Sequence, residues 1–344
     1  MANSPSSRLL AGVAVAAALA GVARAADPIR VGIIGLDTSH APAFTKILND
    51  PQAPADVAGC RVVVATPQGS PDLQASASRL EKFTAEVREQ GVEIVPTIEA
   101  VVAGCDVVLL ESVDGRVHLQ QALPVLRAGK PVFVDKPLAA SLADAIAIVE
   151  AARRRGVPLF SSSALRYSPG IHALRDETTT EIGRVRRAEL TGPCSHEPTH
   201  PDLFWYGIHG VEGLFTILGT DCETVRRTLA TADTDAVEGR WAGGRTGTFR
   251  GAVQGKAPFA GVAAGESGEQ STGEFGGYRP LVVEIVNFFR TGKSPVPPEE
   301  TLAIIAFLEA ADESKRRDGA EVSLADTLAR AREAAAARLT ALGE

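Results

Sequence analysis

The chain has 344 residues, 45% of them hydrophobic and 22% charged, with 35 Lys and Arg against 42 Asp and Glu for a formal charge of −7. That balance excludes a wholly disordered or a fibrous chain, and the length suits about two domains of roughly 150 residues. The acidic surplus argues against nucleic acid as a partner, because phosphate contacts need clustered Lys and Arg.

The first 25 residues have the layout of a targeting segment. Arg8 precedes an apolar run from Leu9 to Ala23, and Ala23-Arg24-Ala25 supplies the small residues of a cleavage site. The run is 15 residues long, short of the about 20 that cross a bilayer. The expectation is a Sec-type signal peptide over 1–25, export to the periplasm or the medium, and no membrane association after cleavage. No twin-Arg pair precedes the run, so the chain would be exported unfolded and without a bound cofactor. Cleavage after Ala25 would leave 319 residues and a charge of −9. Cys60, Cys105, Cys194 and Cys222 form no C-x-x-C pair and are expected to be buried free thiols.

From residue 29 strands and helices alternate. The pattern predicts strands over 29–36, 61–66, 92–96, 106–110, 131–134 and 157–161. Helices are expected near 42–48 and over 73–90, 98–103, 116–128 and 142–155. Such alternation implies βαβ units and a parallel sheet covered on both faces, an α/β Rossmann-like domain over 26–158. After about residue 160 the rhythm changes. Strands over 184–190, 224–232 and 245–254 follow without intervening helices, so a mainly antiparallel sheet is expected in a C-terminal α/β domain over 159–344. The stretch 259–277 is rich in Gly, Ser and Glu and reads as a long loop. Helices are expected over 281–290, 298–317 and 325–342.

The turn after the first strand is Gly35-Leu36-Asp37-Thr38-Ser39-His40. A strand, a Gly-containing turn and a helix start form the frame of a dinucleotide site. Gly35 takes the first glycine position of G-x-G-x-x-G, whereas Asp37 and His40 stand at the second and third. The second strand ends Ala65-Thr66-Pro67, without the acid that would bind ribose hydroxyls. Three readings stay open: the turn binds NAD or NADP in a shifted pose, its polar residues form a pocket for another ligand, or Asp37 and Ser39 cap the helix.

His196, Glu197, His200, Asp202, His209 and Glu212 form a polar cluster holding three of the six histidines. His196, His200, His209 and Glu212 are candidate ligands for a divalent metal. A polar substrate loop accounts for the same residues. Sugar recognition uses aromatic faces and planar hydrogen-bonding groups, and Trp205, Tyr206, Arg166, Tyr167 and Arg245 are candidates, with His200, Asp202 and Glu212. Glu111, Asp114 and His118 follow the fourth strand and are candidates for the same cleft.

Three stretches taken together resemble a known family. Residues 131–138 read PVFVDKPL, 209–219 read HGVEGLFTILG, and Leu308-Glu309-Ala310-Ala311 is followed by Ser314 and Gly319. In order and spacing the chain resembles the Gfo/Idh/MocA family of NAD(P)-dependent oxidoreductases over about residues 28–325. The resemblance implies a Rossmann domain and an α/β domain whose large open sheet forms a homo-oligomer interface. It also implies cofactor contacts at Asp135 and Lys136, and a catalytic role for Lys136 and His209. The family's aspartate four residues before the histidine is replaced by Trp205. Two functions follow as expectations: an NAD(P)-dependent oxidoreductase acting on a carbohydrate, or a non-redox relative. The latter would be a secreted carbohydrate lyase or hydrolase, metal-assisted in one form, or a sugar-binding protein, since a Lys–His pair can also move a proton beside a carbonyl.

Overall fold

Short runs of Val, Ile and Leu between helices organise the first half of the chain. In the computed structural model they become β1 (Ile29–Ile34), α1 (His40–Leu48), β2 (Cys60–Thr66), α2 (Gln74–Ala77), α3 (Leu80–Glu89) and β3 (Glu93–Ile94). Next come α4 (Ile98–Gly104), β4 (Val107–Leu110), α5 (His118–Arg127), β5 (Val132–Val134), α6 (Leu142–Arg155) and β6 (Leu159–Ser161). The structure describes Met1, residues 27–175 and residues 181–344. Met1 aside, the expected signal peptide lies outside the described residues.

β1 to β6 form one parallel sheet in the order β3-β2-β1-β4-β5-β6. Every residue of β4 is buried, as expected of a strand covered on both faces. Strand order reverses between β1 and β4, and that reversal opens a crevice at their carboxyl ends. The turns leaving β1, β4 and β5 therefore meet at one place. α6 is closed at both ends: Ser141 accepts from the Asp144 N–H at 3.1 Å, and Gly156 takes a left-handed φ of 63°.

The helix expected over 73–90 is two helices. The Ser76 hydroxyl accepts from the Ser70 N–H at 2.8 Å and donates to Asp37 at 2.6 Å, which ties α2 to the loop after β1 and separates it from α3.

The second half begins with a short turn at Ala164–Tyr167 and α7 (Pro169–Ala173). It continues with β7 (Val185–Pro193), α8 (Asp202–Trp205), α9 (Ile208–Leu218), β8 (Cys222–Ala230), β9 (Thr234–Trp241) and β10 (Arg245–Ala252). Last come β11 (Ala260–Gly265), β12 (Glu269–Ser271), α10 (Arg279–Thr291), α11 (Pro298–Arg316), β13 (Val322–Ser323) and α12 (Leu324–Ala341). The sheet order is β12-β11-β7-β10-β9-β8-β13, antiparallel except for the pair β7 and β10.

The expected loop over 259–277 is thus corrected: it contains β11 and β12. Ala and Gly give β11 little strand propensity of their own. The backbone of β11 instead completes the edge of β7, and Gly261 lies so close to Leu190 that a Cβ there would stand 2.3 Å from Leu190 Cδ2. β9 was not anticipated. α10 crosses back to the first domain, where Leu281, Ile285 and Phe288 pack with Val31, Ile33 and Phe160. All four cysteines are free and buried, and burial pushes the Cys60 and Cys105 thiols up to about 11. Among the described residues no helix is long and apolar enough to cross a membrane.

Candidate active site

A cavity of about 670 Å³ opens at the crevice of the first sheet and extends to the second domain. The first domain contributes Thr38, Ser39, His40, Asp135 and Lys136 to its wall, and the second contributes Trp205, Tyr206 and His209. Lys256 and Phe259, between β10 and β11, also line it.

The turn after β1 is built for close approach. Gly35 has a φ of +91°, and a Cβ there would meet the Ser112 backbone nitrogen at 2.4 Å. Asp37 points away from the cavity. Its carboxylate accepts from the Ser76 hydroxyl at 2.6 Å and from the Val113 N–H at 2.9 Å, and burial raises its pKa. Ser39 stands at the start of α1 without a side-chain cap. The helix-capping reading of Asp37 and Ser39 is therefore corrected, and neither Gly35 nor Asp37 reaches the cavity wall.

This arrangement fits a dinucleotide. The acid at the second glycine position is spent inside the protein, so it does not oppose a pyrophosphate. The amino end of α1, with Thr38 and Ser39, faces the cavity together with the exposed Arg79 of the segment between α2 and α3. These groups would hold phosphates. Arg79 was not anticipated from the sequence.

Lys136 leaves the carboxyl end of β5, and His209 stands in the first turn of α9. The Lys136 ammonium lies over the Tyr206 ring, 5.9 Å from its centre. His209 Nδ1 pairs with the Ser163 hydroxyl at 2.7 Å, and its ring meets Tyr206 and Phe259 at 5.6 Å each. Burial, and then the nearby charges of Lys136 and His40, hold the His209 imidazole well below its usual pKa. It is neutral at pH 7. Ser163, which positions it, had gone unnoticed in the sequence.

Several expected site residues face elsewhere. Glu212 is buried and accepts from the Ser162 hydroxyl at 2.6 Å, the Ser163 N–H at 2.9 Å and Arg166 Nε at 2.7 Å. Arg166 is buried between Glu212 and Glu300, and Tyr167 is buried beside it. Arg245 pairs with Asp221 at 2.6 Å and donates to the Leu218 carbonyl at 2.7 Å. His200 pairs with Asp114 at 3.2 Å and meets the Trp205 ring at a tilt, 5.1 Å between centres, while Asp202 meets Arg227 and Lys315. None of these six lines the cavity. A charged side chain near a motif serves a buried counter-ion as readily as a ligand.

The four expected metal ligands also part company. His196 pairs with Asp235 at 2.6 Å, His200 with Asp114, His209 with Ser163, and Glu212 with Arg166. Among the described residues they do not form one group. His118 is a staple rather than a wall residue: its ring nitrogens face the carbonyls of Ser112 at 2.8 Å and Pro137 at 3.0 Å, joining the turns after β4 and β5.

A parallel sheet in this order, with its cavity at the strand-order reversal and a second mixed sheet closing it, defines a two-domain protein of the Rossmann class. Residues 29–163 match the family model described as "Oxidoreductase family, NAD-binding Rossmann fold". Over these residues, the parallel-sheet half of the molecule, the chain is similar to the Gfo/Idh/MocA family. It is 31% identical over 159 residues to an inositol 2-dehydrogenase of Cereibacter sphaeroides, covering 45% of this chain and 42% of that one. It is 37% identical over 109 residues to the 1,5-anhydro-D-fructose reductase of Ensifer adhaerens, covering 31% and 32%. The chain thus spans less than half the length of these relatives in the matched region. The fold resembles that of a Lactobacillus casei myo-inositol dehydrogenase solved with NAD(H) and myo-inositol, at a TM-score of 0.67 and 18% identity, covering 86% of this chain and 96% of that one. An apo scyllo-inositol dehydrogenase of the same organism gives a TM-score of 0.68 at 16% identity, covering 87% and 99%.

Proposed function

We propose that the protein is an NAD(P)-dependent oxidoreductase acting on a sugar, cyclitol or related polyol. One observation carries the reading: Lys136 and a neutral His209 stand on the wall of one cavity, beside the amino end of α1. The nicotinamide, when bound, takes or returns the hydride. His209 takes the hydroxyl proton at the imidazole nitrogen that Ser163 leaves free. Lys136 places its positive charge where the substrate oxygen gains negative charge. Trp205 and Tyr206 offer aromatic faces to the apolar side of a sugar ring. The first turn of α1 and Arg79 hold the phosphates.

The activities named for the relatives support this reading over a carbohydrate lyase, a hydrolase or a sugar-binding protein. The test is titration with NAD⁺ and with NADP⁺, followed by turnover of myo-inositol and related polyols read from the absorbance of the reduced nicotinamide. Saturable binding of one cofactor and polyol-dependent reduction are expected. No binding of either cofactor at millimolar concentration overturns the reading.

The layout of residues 1–25 supports export, which fractionation of expressing cells tests. Pairing of copies through the open seven-stranded sheet is what the family resemblance implies. Light scattering of the purified chain reads that assembly, and a monomer at micromolar concentration excludes it.

A further inference from the structure

In the floor of the cavity lies a cluster to which the proposed reaction assigns no chemical step. His40 opens α1, Glu111 follows β4 and Asp135 follows β5, so three adjacent strands bring their side chains to one point. His40 Nδ1 is 2.8 Å from Asp135 Oδ2 and 4.0 Å from Glu111 Oε2. One donor atom from each residue lies within 4.8 Å of the other two. Glu111 is 0% exposed and Asp135 1%. Both oxygens of Glu111 and Oδ1 of Asp135 are buried with no hydrogen-bond partner among the described residues.

Three carboxylate oxygens left without partners in a buried cluster make it a candidate site for a cation. His40 alone does not satisfy them, because its Nδ1 already serves Asp135. The Lys136 ammonium lies over Tyr206 and makes no hydrogen bond to these three oxygens. The imidazole is held in place by Phe44, stacked at 5.2 Å, and by Tyr278, edge-on at 4.7 Å. A ring fixed in this way presents its nitrogen rather than searching for a partner.

We propose that His40, Glu111 and Asp135 bind one divalent transition-metal ion, Mn²⁺ or Zn²⁺, in the floor of the cavity. One imidazole nitrogen and two carboxylates suit these ions better than Mg²⁺ or Ca²⁺, which favour oxygen alone. Ligands about 2.1 Å from a shared ion stand roughly 3 to 3.5 Å apart. The 2.8 Å and 4.0 Å separations bracket that range, so small side-chain shifts complete the site. Binding at Nδ1 would replace the hydrogen bond between His40 and Asp135, the imidazole keeping its N–H at Nε2. Glu111 sits behind, while His40 and Asp135 also line the cavity, so the remaining coordination positions open toward a substrate oxygen.

The test uses the full chain after dialysis against a chelator, titrated with MnCl₂ and separately with ZnCl₂ by calorimetry. One equivalent is expected for either ion. Glu111→Gln keeps the side-chain shape, and its melting curve shows whether it is folded; folded E111Q should weaken binding at least tenfold. Cys194, His196 and Asp235 form a second metal-compatible group, so His196→Ala should leave the stoichiometry unchanged. Fewer than about 0.2 equivalents bound, unchanged binding in E111Q, or loss of binding in H196A overturns the proposal. Cofactor titrations on the same samples keep the two readings apart: NAD(P) bound without metal removes only this proposal, and metal bound without NAD(P) removes only the redox reading.

Discussion

The Asp37 carboxylate and the Ser76 hydroxyl are joined by a 2.6 Å hydrogen bond across 39 residues of chain. The bond turns an acid inward at the position where dinucleotide turns usually carry glycine. It also anchors the segment after β2 to the loop after β1. Asp37→Ala would leave the Ser76 hydroxyl and the Val113 N–H without their acceptor. The expected cost is about 2 kcal/mol of folding stability, read by denaturant unfolding. A double-mutant cycle with Ser76→Ala should show coupling between the two positions.

Removing the base separates chemistry from binding. His209→Ala is expected to lower kcat for polyol oxidation by about 10² to 10⁴, with little change in cofactor affinity measured by titration. Because the His209 pKa lies well below 6.5, the base stays deprotonated through that pH. The acid limb of the kcat/KM profile should therefore fall below pH 6.5. A limb at the ordinary histidine position would contradict the burial of His209 in the cavity wall near Lys136.

Arg166 is a structural cation rather than a sugar ligand. Arg166→Met leaves Glu212 and Glu300 facing each other without it. The expected loss is about 3 to 5 kcal/mol of stability, seen in unfolding curves. At temperatures where the variant is folded, polyol KM should stay close to that of the parent.

Asp312 predicts a pH effect on stability. Burial pushes its carboxyl up from 3.8 to about 6, although Arg227 at 3.2 Å pulls the other way. The folded state therefore holds the proton more tightly than the unfolded chain does. Stability is lost as pH rises from about 4 to about 6, by up to about 3 kcal/mol, and the cost is absent below pH 3.8. Asp312→Asn should flatten this part of the curve. Unfolding of both proteins at several pH values measures the difference in slope.

The first sheet was legible because a buried parallel strand is apolar throughout, as in β4 and β5. The DKP and HGVEG stretches pointed to Lys136 and His209, and Tyr206 was singled out as an aromatic face for a sugar. What stayed hidden depended on distant partners. Nothing near Asp37 indicates that Ser76 will take its carboxylate. Nothing near Arg245 indicates that Asp221 and the Leu218 carbonyl will enclose it. β11 was missed because Ala and Gly carry no strand pattern, and its place is set by the open edge of β7. Glu111 was anticipated near the cleft, but its pairing with His40 and Asp135 required the meeting of three strand ends.

Lys136 is carried by the first sheet and His209 by α9 of the second domain, so a shortened chain cannot hold a complete reaction centre. A fragment ending at Ser161 would keep Thr38, Arg79 and Lys136 but lose its proton acceptor. It would also lose α10, baring Val31, Ile33 and Phe160 where Leu281, Ile285 and Phe288 now cover them. The two halves are thus mutually dependent for solubility as well as for chemistry. Exchanging second halves between relatives would succeed only when α10 travels with the partner whose first sheet it fits.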